Sequence, residues 1–179
     1  MTFALVGRRI DPPDAEQVRF PLRNREMVRA RLLALFDSSQ AGTLVCSAGC
    51  GADLLALDAA GQCGWRRRVI LPFDGGRFRD TSVTDRPGDW GGLYDRTLQD
   101  ITRSGDVVTE SAPPNCEPYV FANDCILEEA VQLAAVSGES AAAVVVWDGE
   151  DYGAGDLTAS FAAAARSRGM NVLQVSTLE

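Results

Sequence analysis

Three short stretches place glycine, arginine and small polar residues where apolar runs end. Gly7, Arg8 and Arg9 close the run "TFALVG", Ser47, Gly49, Cys50 and Gly51 follow "GTLVC", and Asp148, Gly153, Gly155 and Thr158 follow "AAAVVVW". Glycine at such corners lets an anion approach the backbone and permits the positive φ of an anion-binding nest. A helix that opens at the corner adds unpaired N–H groups and a partial positive charge. Arg8 and Arg9 supply planar donors that match phosphate oxygens. Together these residues suit the capture of a phosphorylated small molecule. Each also has a plainer role. Glycine serves turns and tight packing, Asp53 and Asp156 are first-turn acids favoured by the helix dipole, and the arginines can pair with Asp11 or Asp14. Convergence on one rim favours the pocket.

The elements that must position these residues alternate between strand and helix. Apolar runs at 2–7, 42–47, 66–73, 106–110, 141–147 and 171–176 read as strands. Helices are expected over 23–37, from Ala52 to about Gly61, around Trp90 to Ile101, around Leu127 to Ala134, and from Leu157 to Ala165. The segment 74–88 reads as a long irregular loop, long enough to be ordered by a ligand. This alternation predicts a single domain, a three-layer α/β sandwich around a mostly parallel sheet. Ligands of such sheets bind beyond the carboxyl ends of the strands, where strand order reverses.

Composition narrows the chemistry. The chain has 179 residues, 46% of them hydrophobic and 23% charged, as in an ordinary globular domain. It contains no histidine, which excludes Ser-His-Asp and Cys-His nucleophile systems and the commonest zinc sites. Its five cysteines form no C-x-x-C pair, so they read as small buried residues, and no metal or cofactor is implied. A net charge of −8 argues against nucleic acid or anionic membrane as the main partner, although one local basic pocket remains compatible with it. No apolar run reaches the roughly 20 residues of a membrane helix, and the N-terminus meets charge too early for a signal peptide, so a cytoplasmic location is expected. Neither G-x-G-x-x-G after the first strand nor G-x-x-x-x-G-K-[ST] is present, which disfavours a dinucleotide dehydrogenase or P-loop NTPase.

"SAGCGADLLALDAA" resembles the S/T-G-G-x-x-G-A-D-x-L-A loop of the SLOG superfamily, the Rossmann-like group that includes DprA and the LOG proteins. "GRRID", "VILPF" with "FRDTSV", and "VVVWDG" before a G-x-G-D-x-T loop resemble one subgroup, often found as domains of larger bacterial signalling proteins. The likeness runs from about residue 4 to residue 175. It implies a nucleotide pocket, lined on its first side by Gly7 and Arg8. Ser47, Gly49, Gly51 and Asp53 would form the phosphate-facing corner, and Gly153, Gly155, Asp156 and Thr158 would occupy the place of the LOG phosphate loop. It also implies a homo-oligomer. Asp53 or Asp148 would read ribose hydroxyls, and Phe73, Trp147 or Tyr152 would stack on a base.

The sequence departs from LOG enzymes at the catalytic glutamate, whose place is taken by Phe161. An oxocarbenium-like ribose needs a carboxylate nearby. The expectation is therefore a nucleotide sensor without catalysis. The alternative, an N-glycosidase acting on nucleoside monophosphates, requires Glu129, Asp148 or Asp151 to face the ribose, although Glu128 and Glu129 read more simply as solvent-facing helix residues. A third possibility is an interaction domain with a vestigial pocket.

Overall fold

The computed structural model describes all residues 1–179. Six strands form one all-parallel sheet: β1 (Thr2–Gly7), β2 (Thr43–Cys46), β3 (Arg66–Leu71), β4 (Val107–Thr109), β5 (Ala141–Trp147) and β6 (Asn171–Ser176). Their order is β4-β3-β2-β1-β5-β6, and the connections are helical: α1 (Arg25–Ser38), α2 (Ala52–Gln62), α3 (Gly75–Ser82), α4 (Trp90–Thr102), α5 (Pro118–Val136) and α6 (Leu157–Ser167). This is a Rossmann-like α/β fold.

The two-residue period of the strands sorts their side chains into two layers. Phe3, Leu5, Leu44, Cys46, Val69, Leu71 and Val144 pack with Val28, Leu32, Leu55 and Ala59 from α1 and α2. Ala4, Val6, Val45, Ile70, Val145 and Trp147 pack with Ile126, Ala130, Phe161 and Ala165 from α5 and α6. Strands covered on both faces must be apolar throughout, which explains the uninterrupted runs. No helix is long and apolar enough to cross a membrane.

The chain steps outward from β1 to β4, then returns through α5 to place β5 on the other side of β1. The loops after β1 and β5 therefore leave towards opposite faces and open a crevice between them.

Two expectations need correction. The segment 74–88 is not one irregular loop, because Gly75–Ser82 is helical, capped by Asp74 whose side chain accepts from Arg77 N at 3.0 Å. Only residues 83–89 connect it to α4. The fifth helix also begins much earlier than Leu127. Pro118 occupies its first turn, where no N–H is needed, and Glu117 caps it by accepting from Val120 N at 2.8 Å.

Candidate functional site

A cavity of about 770 Å³ lies at the switch point. Its wall includes Gly7, Arg8 and Arg9 from the end of β1, Ser47, Gly49 and Asp53 from the β2–α2 corner, and Gly155, Asp156 and Thr158 from the start of α6. The residues expected from all three strand ends thus meet in one place. Cys50, Gly51, Asp148 and Gly153 support the wall without lining it.

Gly7 and Gly51 are there for packing. A Cβ on Gly7 would lie 2.5 Å from both Val146 O and Ala52 Cβ, so β1 can pass between β5 and α2 only without a side chain. Gly51 has φ +97°, and a Cβ there would lie 2.9 Å from Arg8 O and Ile10 N. The backbone of Arg8–Ile10 crosses this point as an isolated antiparallel bridge between Arg9 and Gly51, and Ala52 N donates to Arg8 O at 3.2 Å. Gly49 is different. A Cβ there would meet its nearest neighbour, Asp53 Oδ2, at 3.4 Å, which is ordinary contact.

The α2 corner is not an open phosphate nest. Gly49 N donates to Asp53 Oδ2 at 3.1 Å, Cys50 N to Ser82 O at 3.0 Å, and Ala52 N to Arg8 O. The start of α6 is similarly filled from within. Asp156 caps it, accepting from Thr158 N at 3.0 Å and Ala159 N at 3.1 Å, while Tyr152 N reaches the second oxygen at 3.2 Å. The protein's own carboxylate sits where a bound anion was expected.

Arg8 is buried and holds that carboxylate in place. Its Nη1 and Nη2 donate to Asp156 Oδ1 and Oδ2 at 2.7 and 2.9 Å, Nε donates to Asp148 Oδ1 at 2.9 Å, and Nη2 also reaches Glu150 O at 2.7 Å. These contacts engage four of its five N–H groups. Arg8 is therefore a clasp between β1 and the β5–α6 loop, with a single N–H group left over. Burial pushes the Asp156 carboxyl up, but Arg8 and the N–H groups of Ala159 and Tyr152 overcome it and hold the group at about 2. Tyr152 donates to Asp148 Oδ2 at 2.6 Å, and Arg19 lies 3.7 Å over the Tyr152 ring.

Asp53 stands in the opposite situation. Burial raises its carboxyl, and the Gly49 N–H and the charge of Arg9 only partly offset this, leaving it at about 7. Its Oδ1 is sealed from solvent and has no hydrogen-bond partner, as are Ser47 Oγ and Arg9 Nε. Together with Arg86 Nε, these make four polar atoms without partners on cavity-lining residues, a departure from the rule that buried polar groups are satisfied.

The proposed stacking aromatics lie elsewhere. Trp147 is part of the α5–α6 layer and donates to Gln174 Oε1 at 3.0 Å, and Phe73 packs against Phe78 and Tyr119. Tyr152 is occupied by Arg19. The aromatic residues on the wall are Phe78 and Tyr119, the latter hydrogen-bonded to Ser82 Oγ at 2.9 Å. Sequence reading missed both, together with Arg86, Asn123 and most of the 11–19 segment that forms one side, of which only Asp11 and Asp14 stood out. Phe78, Ser82, Arg86 and Tyr119 were hidden by the unrecognised α3 and the early start of α5. Had Asp74 been recognised as a cap, it would have signalled α3. Of the carboxylates considered for catalysis, Glu129 pairs with Arg68 at 2.8 Å, Asp148 is held by Arg8 and Tyr152, and Asp151 accepts from Gly153 N at 2.8 Å. None lines the cavity.

No protein-family model matches the chain and no curated protein is found similar to it, so the SLOG likeness rests on the motifs alone and the site's geometry carries the functional assignment.

Proposed function

We propose that this protein binds a nucleotide or a nucleotide-derived small molecule in the switch-point cavity and does so without catalysis. One observation carries the reading: the ends of three strand–helix units converge on a cavity of about 770 Å³ whose wall carries Arg9, Ser47 and Asp53, each with a polar atom that has no partner within the protein. That volume lies within the usual range for small-molecule sites. The three atoms combine a charged donor, a hydroxyl that can donate or accept, and a carboxyl oxygen. A ribose, whose hydroxyls both donate and accept, suits Ser47 and Asp53, while the phosphate end suits a guanidinium. Phe78 and Tyr119 supply apolar surface for a base. Glu129, Asp148 and Asp151 are all engaged away from the cavity, which weighs against an N-glycosidase running through them. The carboxyl that remains is Asp53. Its position near neutrality is the one feature that favours a hydrolytic reading.

The test is thermal unfolding against nucleoside monophosphates, cyclic nucleotides, NAD and ADP-ribose, followed by chromatography of each mixture. A ligand at about 100 times its Kd adds about 2.7 kcal/mol, or roughly 5–10 °C for a chain of this size. A shift with the ligand recovered intact fits binding alone. Release of free base would replace this reading with hydrolysis. No shift with any compound would refute the nucleotide assignment.

A further inference from the structure

The cavity contains one charge cluster that its internal partners leave under-neutralised. Arg9 and Arg86 both line the wall, and a single carboxylate, Asp85, lies between them without itself lining the cavity. Asp85 Oδ1 accepts from Arg9 Nη2, while its Oδ2 lies 3.6 Å from Arg86 Nε, too far for a hydrogen bond. The Nε groups of both arginines are buried and unpartnered. Two guanidinium groups present ten N–H donors, and the two oxygens of one carboxylate cannot satisfy them. The cluster keeps a net charge of +1, in contrast to Arg8, whose donors are largely consumed by Asp148, Asp156 and Glu150.

From this geometry we infer that Arg9 and Arg86 form the receptor for a phosphoryl or pyrophosphoryl group, and that Asp85 is an internal stand-in which the incoming oxyanion displaces. The inference rests on the nucleotide reading of the cavity and assigns its phosphate end. A phosphate offers three oxygens and up to two negative charges, so it can engage both guanidinium groups where Asp85 fully engages neither. Asp85 is free to leave. Its side chain is 34% exposed, and it lies in the short 83–89 connection, whose two sides are fixed by buried Val83 and by Trp90, with Trp90 Nε1 donating to Pro87 O at 2.8 Å. Of the other wall carboxylates, Asp14 and Glu16 carry no ion pair and lie on the 11–19 side of the cavity, whereas three are committed. Asp11 accepts from Arg19 N and Phe20 N at 3.0 Å, Asp156 is held by Arg8, and Asp53 reaches Gly49 N.

The experiment is calorimetric titration of the full chain with inorganic pyrophosphate and, separately, with the four nucleoside monophosphates, using wild type, Asp85→Asn and Arg86→Gln. Asparagine keeps an oxygen acceptor for Arg9 but removes the competing charge. Pyrophosphate should bind Asp85→Asn roughly three- to tenfold more tightly than wild type. Arg86→Gln should weaken it about tenfold or more. Weaker or unchanged binding in Asp85→Asn, or no pyrophosphate binding to either protein, overturns the stand-in role. Pyrophosphate binding that follows this pattern while no nucleotide binds would keep the oxyanion site and refute the nucleotide assignment. Nucleotide binding that neither tightens in Asp85→Asn nor weakens in Arg86→Gln would do the reverse. Unfolding midpoints measured alongside identify any variant that fails to fold.

Discussion

Removing Arg8 should destabilise the protein far more than it affects any ligand directly. Arg8 makes four hydrogen bonds to two carboxylates and a carbonyl, and the side chains of Asp148 and Asp156 are each 1% exposed. Arg8→Met keeps much of the stem but strands both carboxylates in a buried setting, a change that costs about 3–5 kcal/mol. For a chain of this length that corresponds to a midpoint roughly 6–20 °C lower. The pH dependence follows from Asp156. Its folded pKa of about 2 lies below the ordinary 3.8, a gap equivalent to about 2 kcal/mol. A depressed carboxylate stabilises the fold above its unfolded pKa, and this contribution is lost as pH falls from about 4 through 2. Without Arg8, burial dominates and Asp156 resists ionisation. The gap between wild type and Arg8→Met should therefore be widest near neutrality and narrow in acid. Urea unfolding followed by tryptophan fluorescence is a direct assay, since Trp147 lies 5.8 Å from the Arg8 guanidinium. Adding Asp156→Asn to Arg8→Met should restore about 1–2 kcal/mol, because Asn still caps α6 without a buried charge. A single variant within 1 kcal/mol of wild type, or a double variant weaker than the single, would refute the clasp.

Asp53→Asn should move stability in the opposite direction. A carboxyl raised to about 7 in the fold takes up a proton on folding between about pH 4 and 7, so it costs stability increasingly over that window and fully above it. Removing the charge should stabilise the protein by about 2–4 kcal/mol at pH 8 and by little at pH 4, measured by urea unfolding at the two values. Equal effects at both pH values would show that Asp53 is not held near neutrality. The glycines offer a separate check by thermal unfolding. Gly7→Ala should cost about 3 kcal/mol or more, because its Cβ would meet backbone at 2.5 Å, whereas Gly49→Ala should stay within about 1 kcal/mol while narrowing the cavity beside Asp53. If Gly49→Ala proves as damaging as Gly7→Ala, Gly49 is a packing residue as well.

Much of this arrangement was legible before any coordinates. Apolar runs identified all six strands. β1, β2 and β5, in the middle of the sheet and covered on both faces, are nearly continuous, whereas β3 and the edge strands β4 and β6 carry polar residues and were read from shorter apolar stretches. Placing every strand end on one side was enough to bring Arg9, Ser47, Gly49, Asp53 and Thr158 together. The partners of each charge were not legible. Arg8 and Arg9 are adjacent and chemically identical, yet one meets Asp148 and Asp156, about 140 residues along the chain, and the other meets Asp85 in a connection that sequence reading merged into a longer loop. The short α3 escaped notice because "GGRFRDTS" opens with two poor helix formers and buries only Phe78 and Ser82. That helix brings Phe78 and Ser82 to the wall and leads into Arg86.

Glycine spacing drew attention to this site, but the two glycine corners turn out to do different work from the one their sequence suggests. A helix N-terminus attracts whatever anion is available. At α6 the protein supplies Asp156, whereas α2 has no side-chain cap and Asp53 accepts from the Gly49 N–H just before the helix. The α6 N-terminus is thus capped from within, and under the proposed reading the phosphate is left mainly to side chains. Among the arginines of the wall, Arg8 is consumed by its clasp and Arg19 sits over the Tyr152 ring, while Arg9 and Arg86 share one carboxylate and have donors to spare. Specificity then divides along the cavity. In the proposed binding mode the oxyanion end is set by Arg9, Arg86 and Asp85, and the neutral end by Ser47 and an Asp53 whose carboxyl is raised to about 7. A ligand charged at one end and hydroxylated at the other satisfies both, whereas one that placed a second anion against Asp53 would have to bind with that carboxyl protonated.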